Sequence, residues 1–257
     1  LGHHAGIDVD GEAEAAQPYI DRFTKTIEAA MGWQSGSAVG KFFSTRKDTL
    51  GYIDSQKPVF GLMEPSLYLE LRKERGLEPV AQTVSPDLSS PRLHVVVKDP
   101  AIKSVADLAG KRLFTALADA PRYLTTMIFA GTEVKDAATF FQLKATRQAM
   151  RGVYAVLRGD AEATLLDDEQ LAAARKIEGG QALRSLREAR GLPPLPLVVF
   201  GKAIDAKERA KLTKVLHELC GTATGGPVCK EMRIVKFAPV DSVLFREVQQ
   251  RYDGGKP

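Results

Sequence analysis

The stretch Ser104–Leu124, SVADLAGKRLFTALADAPRYL, contains the pattern that decides the fold. It reads as a short helix, a glycine turn, a strand KRLFTA, a loop LADA and the first turn of a helix that begins at Pro121. A strand that leads through a loop into a helix leaves the first N–H groups of that helix without partners. Such junctions are where α/β proteins bind ligands. The stretch therefore predicts an α/β fold with a ligand-binding edge.

The same alternation of strands and helices extends along the chain, which favours a largely parallel sheet. The predicted strands are SAVGKFF (37–43), KPVFGLM (57–63), EPVAQTV (78–84), RLHVVVK (92–98), KRLFTA (111–116), TFFQLK (139–144), AEATLLD (161–167) and LPLVVF (195–200). A helix follows most of them. STRKDTLGYIDSQ places Thr45 and Asp48 at capping-box spacing, and Pro65 suits the first turn of the helix after KPVFGLM.

Two long extended segments, around residues 92–98 and 191–200, each separate one α/β part from another. We therefore predict two lobes joined by two hinge crossings, near Leu93–Val95 and Leu195–Val199. Lobe one comprises residues 1–92 and 198–257, and the inserted lobe two comprises residues 93–197. A cleft between lobes is a preferred ligand site, and hinged closure is the expected motion.

Composition excludes several classes of protein. The chain has 257 residues, of which 44% are hydrophobic and 26% charged, as in ordinary soluble globular proteins. The net charge of +4 comes from scattered Lys and Arg, whereas nucleic-acid binding needs a clustered basic face. The apolar runs are too short to cross a bilayer. No secretory signal is visible at Leu1, as expected of a trimmed, mature chain.

Cys220 and Cys229 are the two cysteines of the chain. No second Cys or His pair accompanies them, so their spacing is poor for zinc. A loop disulfide is the favoured interpretation, and two separate thiols are the alternative. A disulfide would indicate an oxidising compartment such as the periplasm.

The chain resembles type 2 periplasmic solute-binding proteins, in particular their phosphate/phosphonate-binding branch, which serves ABC transporters. SVADLAGKRLFTA is similar to the DLkGK strand entry of that family. PVFGLMEPSLYLELR (58–72), AVLRGDAEATLLDD (155–168) and GLPPLPLVVF (191–200) match further segments in the same order. The resemblance implies two sheets flanked by helices and two crossings. It also implies a monomer that binds a small solute without a cofactor or catalysis and delivers it to a membrane transporter.

In that family the ligand-contacting loops follow the strand ends. By matching segment they fall at Gly2–Ala5, Ser44–Thr45, Met63–Ser66, Ala116–Tyr123 and Leu166–Asp168. The candidate ligand-binding residues are His4, Phe42, Phe43, Ser44, Thr45, Met63, Glu64, Ser66, Asp119, Ala120, Arg122, Tyr123, Met127 and Asp167. Glu64, Ser66, Asp119 and Tyr123 would orient the polar end of the ligand.

The lobe-two loop departs from the family pattern. Phosphonate binders carry a Ser/Thr-rich turn there, but this chain has LADAPRY, in which Asp119 is anionic and Pro121 lacks an N–H. A carboxylate beside a phosphate disfavours binding unless a cation compensates, and Arg122 is the candidate cation. Together with Glu64, Asp119 favours a ligand that carries a hydroxyl or a positive charge.

The same loops are rich in apolar side chains, so a mostly apolar ligand is a second hypothesis. They are Phe42, Phe43, Met63, Leu67, Tyr68, Tyr123, Leu124 and Met127. Burial of a lipid- or sterol-sized surface could sustain binding without an anion clamp. Core packing of these residues is the alternative interpretation. A phosphate or phosphonate, a lipid or sterol, and another small polar solute therefore all remain open.

Catalysis and metal binding have little support. The chain lacks G-x-S-x-G, Walker and H-E-x-x-H motifs, and neither cysteine lies on a predicted ligand loop. His3 and His4 are adjacent, a spacing that disfavours a shared metal on a strand. His94 is interpreted as a hinge residue, and Asp168 as the cap of the following helix. An enzyme or a sensor module with the same architecture is the rival hypothesis.

Overall fold

The computed structural model describes residues 9–86, 91–146, 148–201 and 203–254, with side chains from residue 15 onward. The described residues form two compact units. The first unit contains residues 9–86 and 194–242, and the second contains residues 91–193 and 243–254. The sequence assigned all of 198–257 to one lobe, whereas residues 243–254 pack with the second unit.

Helices and strands alternate as the sequence pattern indicates. The helices are α1 (Val9–Met31), α2 (Arg46–Gln56), α3 (Pro65–Arg75), α4 (Pro121–Tyr123), α5 (Ala137–Phe140), α6 (Ala149–Arg158), α7 (Asp168–Ala174), α8 (Ala206–Leu219), α9 (Gly225–Glu231) and α10 (Ser242–Tyr252). The strands are β1 (Phe60–Leu62), β2 (Leu77–Val84), β3 (Leu93–Val97), β4 (Arg112–Thr115), β5 (Gln142–Ala145), β6 (Ala163–Leu166), β7 (Arg184–Ala189), β8 (Pro196–Phe200) and β9 (Lys236–Ala238).

The first unit is built on an antiparallel sheet with strand order β1-β8-β2-β9. The prediction of a largely parallel sheet is wrong for this unit, because β8, which follows the second unit in the chain, runs antiparallel to both β1 and β2. Helices α1, α8 and α9 pack against this sheet. The apolar positions Phe23, Ile27 and Met31 recur at helical spacing on α1 and are all buried. They meet Leu212 and Leu216 of α8 in one core cluster. The apolar faces of α1 and α8 therefore form the core of this unit.

The predicted strand SAVGKFF is wrong, because residues 38–43 form no strand. Polar side chains of α1 bind the backbone groups that a sheet would need. The Glu28 carboxylate accepts hydrogen bonds from the N–H groups of Gly36 (2.9 Å) and Ala38 (2.8 Å). Gln17 Nε2 donates to the Gly40 carbonyl at 2.8 Å. A Cβ at Gly40 would lie 2.2 Å from Thr24 Oγ1, so this close approach requires glycine.

A disulfide joins Cys220, at the end of α8, to Cys229 in α9, the pairing that the sequence favoured. The sequence GTATGG between the cysteines is irregular only in its first part, because α9 begins at Gly225. Closing this short segment of chain stabilises the fold by about 2–3 kcal/mol in the chain-entropy description.

The second unit contains a mixed sheet with strand order β5-β4-β6-β3-β7. β4 is parallel to β5 and to β6, whereas β3 is antiparallel to β6 and to β7. The carboxyl ends of β4, β5 and β6 therefore meet at one edge of the sheet. This edge is the one predicted from the opening stretch.

The helix predicted from Pro121 is shorter and less regular than expected. Only Pro121–Tyr123 is α-helical, and Leu124–Ile128 is a π-helical turn closed by a hydrogen bond from Phe129 N–H to the Leu124 carbonyl at 2.8 Å. The guanidinium of Arg187 donates to the carbonyls of Ile128 (2.9 Å) and Ala130 (2.5 Å). A residue of β7, distant in sequence, thus binds the end of this segment and stops the helix. Within the described residues, no helix is both long and apolar enough to span a membrane.

Candidate functional site

The loop after β4 carries five of the candidate residues of the second unit. Asp119 and Arg122 are exposed, whereas Ala120, Tyr123 and Met127 are buried. Ala120 is the N-cap of α4 and makes no side-chain cap hydrogen bond, and Pro121 occupies the first helical position. This helix start therefore offers neither a hydroxyl nor the full set of N–H groups that a Ser/Thr-rich turn supplies.

Arg122 has a different role from the compensating cation expected from the sequence. Its Nε donates to the Tyr252 carbonyl at 3.0 Å, and its guanidinium lies over the Tyr252 ring, 4.8 Å from the centroid. Both contacts tie the loop to α10 of the same unit. The guanidinium is thus engaged in packing within the second unit.

Asp167 has the capping role that the sequence assigned to Asp168. Asp167, predicted to bind ligand, is the N-cap of α7: its Oδ1 accepts from Gln170 N–H at 2.7 Å, and Gln170 Oε1 accepts from Asp167 N–H at 3.1 Å. The prediction that Asp168 caps the helix is wrong. Its carboxylate turns toward β3 instead.

Asp168 belongs to a polar network that we call the β3 network, made of Arg92, His94, Asp168, Ser185, Glu188 and Arg190. His94 Nε2 lies 3.0 Å from Asp168 Oδ1, and Arg92 Nε donates to Asp168 Oδ2 at 2.9 Å. His94 Nδ1 lies 2.9 Å from Ser185 Oγ. Arg190 Nε approaches Glu188 at 2.7 Å and Arg92 Nη1 does so at 3.5 Å.

The electrostatics of the β3 network favour ionised carboxylates. The hydrogen bond from His94 and the charge of Arg92 lower the pKa of Asp168, against a smaller opposing effect of burial. Arg190, with help from Arg92, lowers the pKa of Glu188. Both acids therefore stay charged at neutral pH and hold their cationic partners.

The order Ser185–His94–Asp168 resembles a hydrolase triad, but the geometry is reversed. In such a triad the serine contacts Nε2 and the aspartate contacts Nδ1, whereas here Ser185 is at Nδ1 and Asp168 is at Nε2. Asp168 also accepts from Arg92, which offsets the negative charge that would support an imidazolium. The arrangement serves to connect β3, β7 and α7.

In the first unit, Ser44 and Thr45 lead into α2. Thr45 is the N-cap, and its Oγ1 accepts from Asp48 N–H at 3.0 Å, as the capping-box spacing predicted. Arg46 pairs with Glu70 of α3. Lys47, at the second helical position, is exposed and pairs with none of the described residues. The Thr45 hydroxyl in turn donates to the Asp48 carboxylate. The start of α2 therefore combines a capped helix and an exposed cation with one acidic side chain, Asp48, in its first turn.

The β1–α3 loop holds the remaining polar candidates. Met63 N–H donates to the Pro196 carbonyl at 3.0 Å, and Glu64 accepts at its carbonyl from Tyr68 N–H at 2.9 Å. Pro65 occupies the first helical position, as predicted. Met63 and Ser66 are buried, whereas the Glu64 side chain is exposed. Glu64 is thus the accessible charged group of this loop.

The apolar candidates give little support to a lipid site. Six of the eight are buried: Met63, Leu67, Tyr68, Tyr123, Leu124 and Met127. Phe43 packs on Tyr52 with ring centroids 4.9 Å apart, and Phe42 is half-buried. This is the pattern that core packing predicts.

The candidate residue His4 lies outside the described residues.

Sequence reasoning missed Lys47 and Arg92, although each has a recognisable signal. Lys47 lies two residues after the cap Thr45, and Arg92 shares a strand face with His94. Among the side chains that the structure describes, no group of three or more His, Cys, Asp or Glu is arranged to hold a metal ion.

Comparison with protein families identifies the class of protein. The family described as the periplasmic phosphonate substrate-binding protein of ABC transporters matches residues 44–244, which is most of the chain. The chain therefore belongs to this family. Its members are periplasmic proteins that deliver small molecules to a membrane transporter. No curated protein sequence matches the chain significantly.

Solved structures show the same fold at low sequence identity. XAC2383 from Xanthomonas citri, bound to ATP, has a TM-score of 0.73 at 15% identity, over 94% of each chain. A binding component of a Pseudomonas aeruginosa ABC phosphonate transporter has a TM-score of 0.66 at 16% identity, over 94% of this chain and 84% of the other.

A third structure, PhnD1 from Prochlorococcus marinus in complex with methylphosphonate, has a TM-score of 0.61 at 11% identity, over 94% of this chain and 93% of the other. The fold is thus that of two-lobed periplasmic binding proteins, with two sheets flanked by helices, as predicted.

Proposed function

We propose that this protein captures a small phosphonate- or phosphate-type anion that also carries a hydroxyl or amino group, and delivers it to an ABC transporter. The observation that carries this proposal is the family match over residues 44–244, which includes the α2 start and the loops after β1, β4 and β6. We also propose that it acts as a monomer, without catalysis or a cofactor.

The start of α2 is the element best suited to the anionic group. Thr45 caps this helix of eleven residues, and Lys47 adds an exposed ammonium two positions later. Backbone N–H groups and a cation together favour an oxyanion. The α4 start in the second unit lacks these groups, because Ala120 and Pro121 stand where hydroxyls would be expected.

Two exposed carboxylates, Glu64 and Asp119, are the reason for proposing that the ligand also carries a hydroxyl or amino group. Both lie on loops that correspond to ligand loops of the family. Carboxylates disfavour a bare dianion but accept hydrogen bonds from a hydroxyl or an ammonium group. A ligand with both an oxyanion and such a donor satisfies the two sets of groups.

The test is a thermal-shift series on the whole protein. The probes are methylphosphonate, phosphate, 2-aminoethylphosphonate and ATP, with sulfate, ethylamine and cholesterol as comparison compounds. A ligand at a hundred times its Kd stabilises the folded state by about 2.7 kcal/mol. For units of this size, that raises Tm by roughly 5–10 °C.

We expect the largest shift with 2-aminoethylphosphonate and a smaller one with methylphosphonate. Sulfate and ethylamine should produce little change. A shift with cholesterol but with none of the phosphorus compounds would overturn the proposal.

A further inference from the structure

The loop between β6 and α7 is held by two sets of contacts. One set comes from its own helix, α7, and the other comes from residues outside that helix. α7 has only seven residues, and isolated helices this short are unstable. The capping box of Asp167 and Gln170 orders its first turn. Asp168, the first helical residue, receives two further contacts from β3, through Arg92 and His94. Since this is a ligand loop by family resemblance, what fixes it also fixes part of the site.

Arg92 and His94 reach Asp168 because they are two residues apart and thus share one face of the chain as it enters β3. Arg92 also approaches Glu188, which in turn pairs with Arg190. Each carboxylate therefore has two donors, and the four charges of Arg92, Arg190, Asp168 and Glu188 cancel. Such a group adds no net charge, and its hydrogen bonds fix the positions of the side chains that take part in it.

A β-bulge completes the network. Val95 pairs with Arg187, but Val96 pairs with Ser185, so Leu186 is skipped. Because strand faces alternate, regular pairing would place Leu186 beside His94, on the face of Glu188. The bulge replaces that apolar side chain by the Ser185 hydroxyl, which lies 2.9 Å from His94 Nδ1. The imidazole, which is only 11% exposed, thus has a partner at each nitrogen.

We propose that Arg92 and His94 are positioning residues of the ligand site, which hold the Leu166–Asp168 loop in its binding conformation without contacting the solute. This inference rests on the proposed function. The β3 network also connects that loop to the segments by which the chain enters and leaves the second unit. Arg92 lies near the first of these segments, and Glu188 and Arg190 lie near the second.

The experiment compares R92Q, H94Q and R92K with wild type and with R158Q. R158Q is a matched control, because Arg158 Nε also donates to an aspartate, Asp160, at 2.9 Å in the same unit but away from this loop. Two quantities are measured on the whole protein: amide hydrogen exchange of residues 163–171 and the Kd for methylphosphonate.

We expect R92Q and H94Q to raise both the exchange rate and the Kd by about two- to fivefold, the range of a partly exposed charge pair. R92K, which keeps the charge but cannot bridge Asp168 and Glu188, should recover part of each effect. R158Q should change neither. Unfolding curves confirm that each variant is folded.

Unchanged exchange in R92Q and H94Q would overturn the inference. Faster exchange with an unaltered Kd would also overturn it, because the loop would then be loosened without effect on binding. If wild type binds no phosphorus compound, the proposed function fails; the exchange measurement still decides whether Arg92 and His94 hold the loop.

Discussion

The starts of α2 in the first unit and α4 in the second unit differ in the groups that they offer to an anion. α2 begins with the hydroxyl cap of Thr45, extends for eleven residues and carries Arg46 and Lys47 beside Asp48 in its first turn. α4 begins with Ala120 and Pro121, continues after Tyr123 as a π-helical turn and has the exposed Asp119 before it. The comparison teaches that two helix starts in one chain can differ in their capacity to bind an anion through their first few residues.

The difference has a physical cause in each unit. The start of α2 has a hydroxyl cap and all of its N–H groups, whereas Ala120 provides no hydroxyl and Pro121 lacks an N–H. In the second unit, Arg187 binds the carbonyls of Ile128 and Ala130, which ends the helical segment. Arg122, the one cation of the α4 turn, is stacked on Tyr252. We therefore propose that the anionic group of the solute binds to the first unit.

The largest expected effect on binding comes from substitution of Lys47. We expect K47A to weaken methylphosphonate binding about tenfold, the loss of one charge-assisted hydrogen bond. The matched control is K207A, because Lys207 is also an exposed lysine at the second position of a capped helix, α8, with an acidic residue next to it. Isothermal titration calorimetry measures both variants. Equal affinities for K47A and K207A would refute the assignment to α2.

Thr45 provides the second test, on stability. T45A removes the N-cap of α2 and should destabilise the protein by about 1 kcal/mol, which lowers Tm by roughly 2–4 °C. T45S keeps the hydroxyl and should retain most of the stability. Differential scanning calorimetry distinguishes them. If T45A were as stable as T45S, the cap would contribute nothing to the start of α2.

Asp119 sharpens the comparison from the second unit. D119N removes a carboxylate that repels a dianion, so affinity for phosphate should rise by about two- to threefold, as for an exposed charge pair. Affinity for 2-aminoethylphosphonate should fall, because its ammonium loses a partner. E133Q, at another exposed loop acid of the same unit, is the control. Changes of the same sign for both ligands would contradict the proposed role of Asp119.

The smallest expected effect is the pH-dependent stabilisation by Glu28, which binds residues 36–38 in the segment before α2. The N–H groups of Ala38 and Gly36 lower its pKa from the ordinary value of 4.5. A lowered folded-state pKa means that the stabilisation is fully present above pH 4.5 and is lost as pH falls through the folded-state value. E28Q should therefore be less stable than wild type at pH 7, and this difference should shrink toward pH 3.

Urea unfolding between pH 7 and pH 3 measures this difference. E247Q, at an exposed acid of α10, should follow the wild-type curve at every pH. A constant difference between E28Q and wild type across the range would show that the carboxylate charge has no part in holding residues 36–38.

Sequence patterns predicted those features that depend on local order. The Thr45–Asp48 cap and the junction after KRLFTA both follow from spacing within a few residues, and the structure confirms them. The disulfide partners were equally evident, because the chain contains only two cysteines.

Features that depend on distant side chains could not be predicted in this way. SAVGKFF has the composition of a strand, but Glu28 and Gln17 of α1 bind its backbone and that of the preceding turn instead. Asp168 looked like a cap because no local pattern shows that Arg92 and His94, more than seventy residues earlier, contact its carboxylate.

The most direct measurement is a titration of the isotope-labelled protein with methylphosphonate, followed by amide NMR. The account predicts large, saturable shifts at Ser44–Asp48 and smaller shifts at Leu117–Tyr123, all fitting one Kd. Large shifts confined to Leu117–Tyr123, or no saturable shift anywhere, would contradict the claim that the first unit holds the anion.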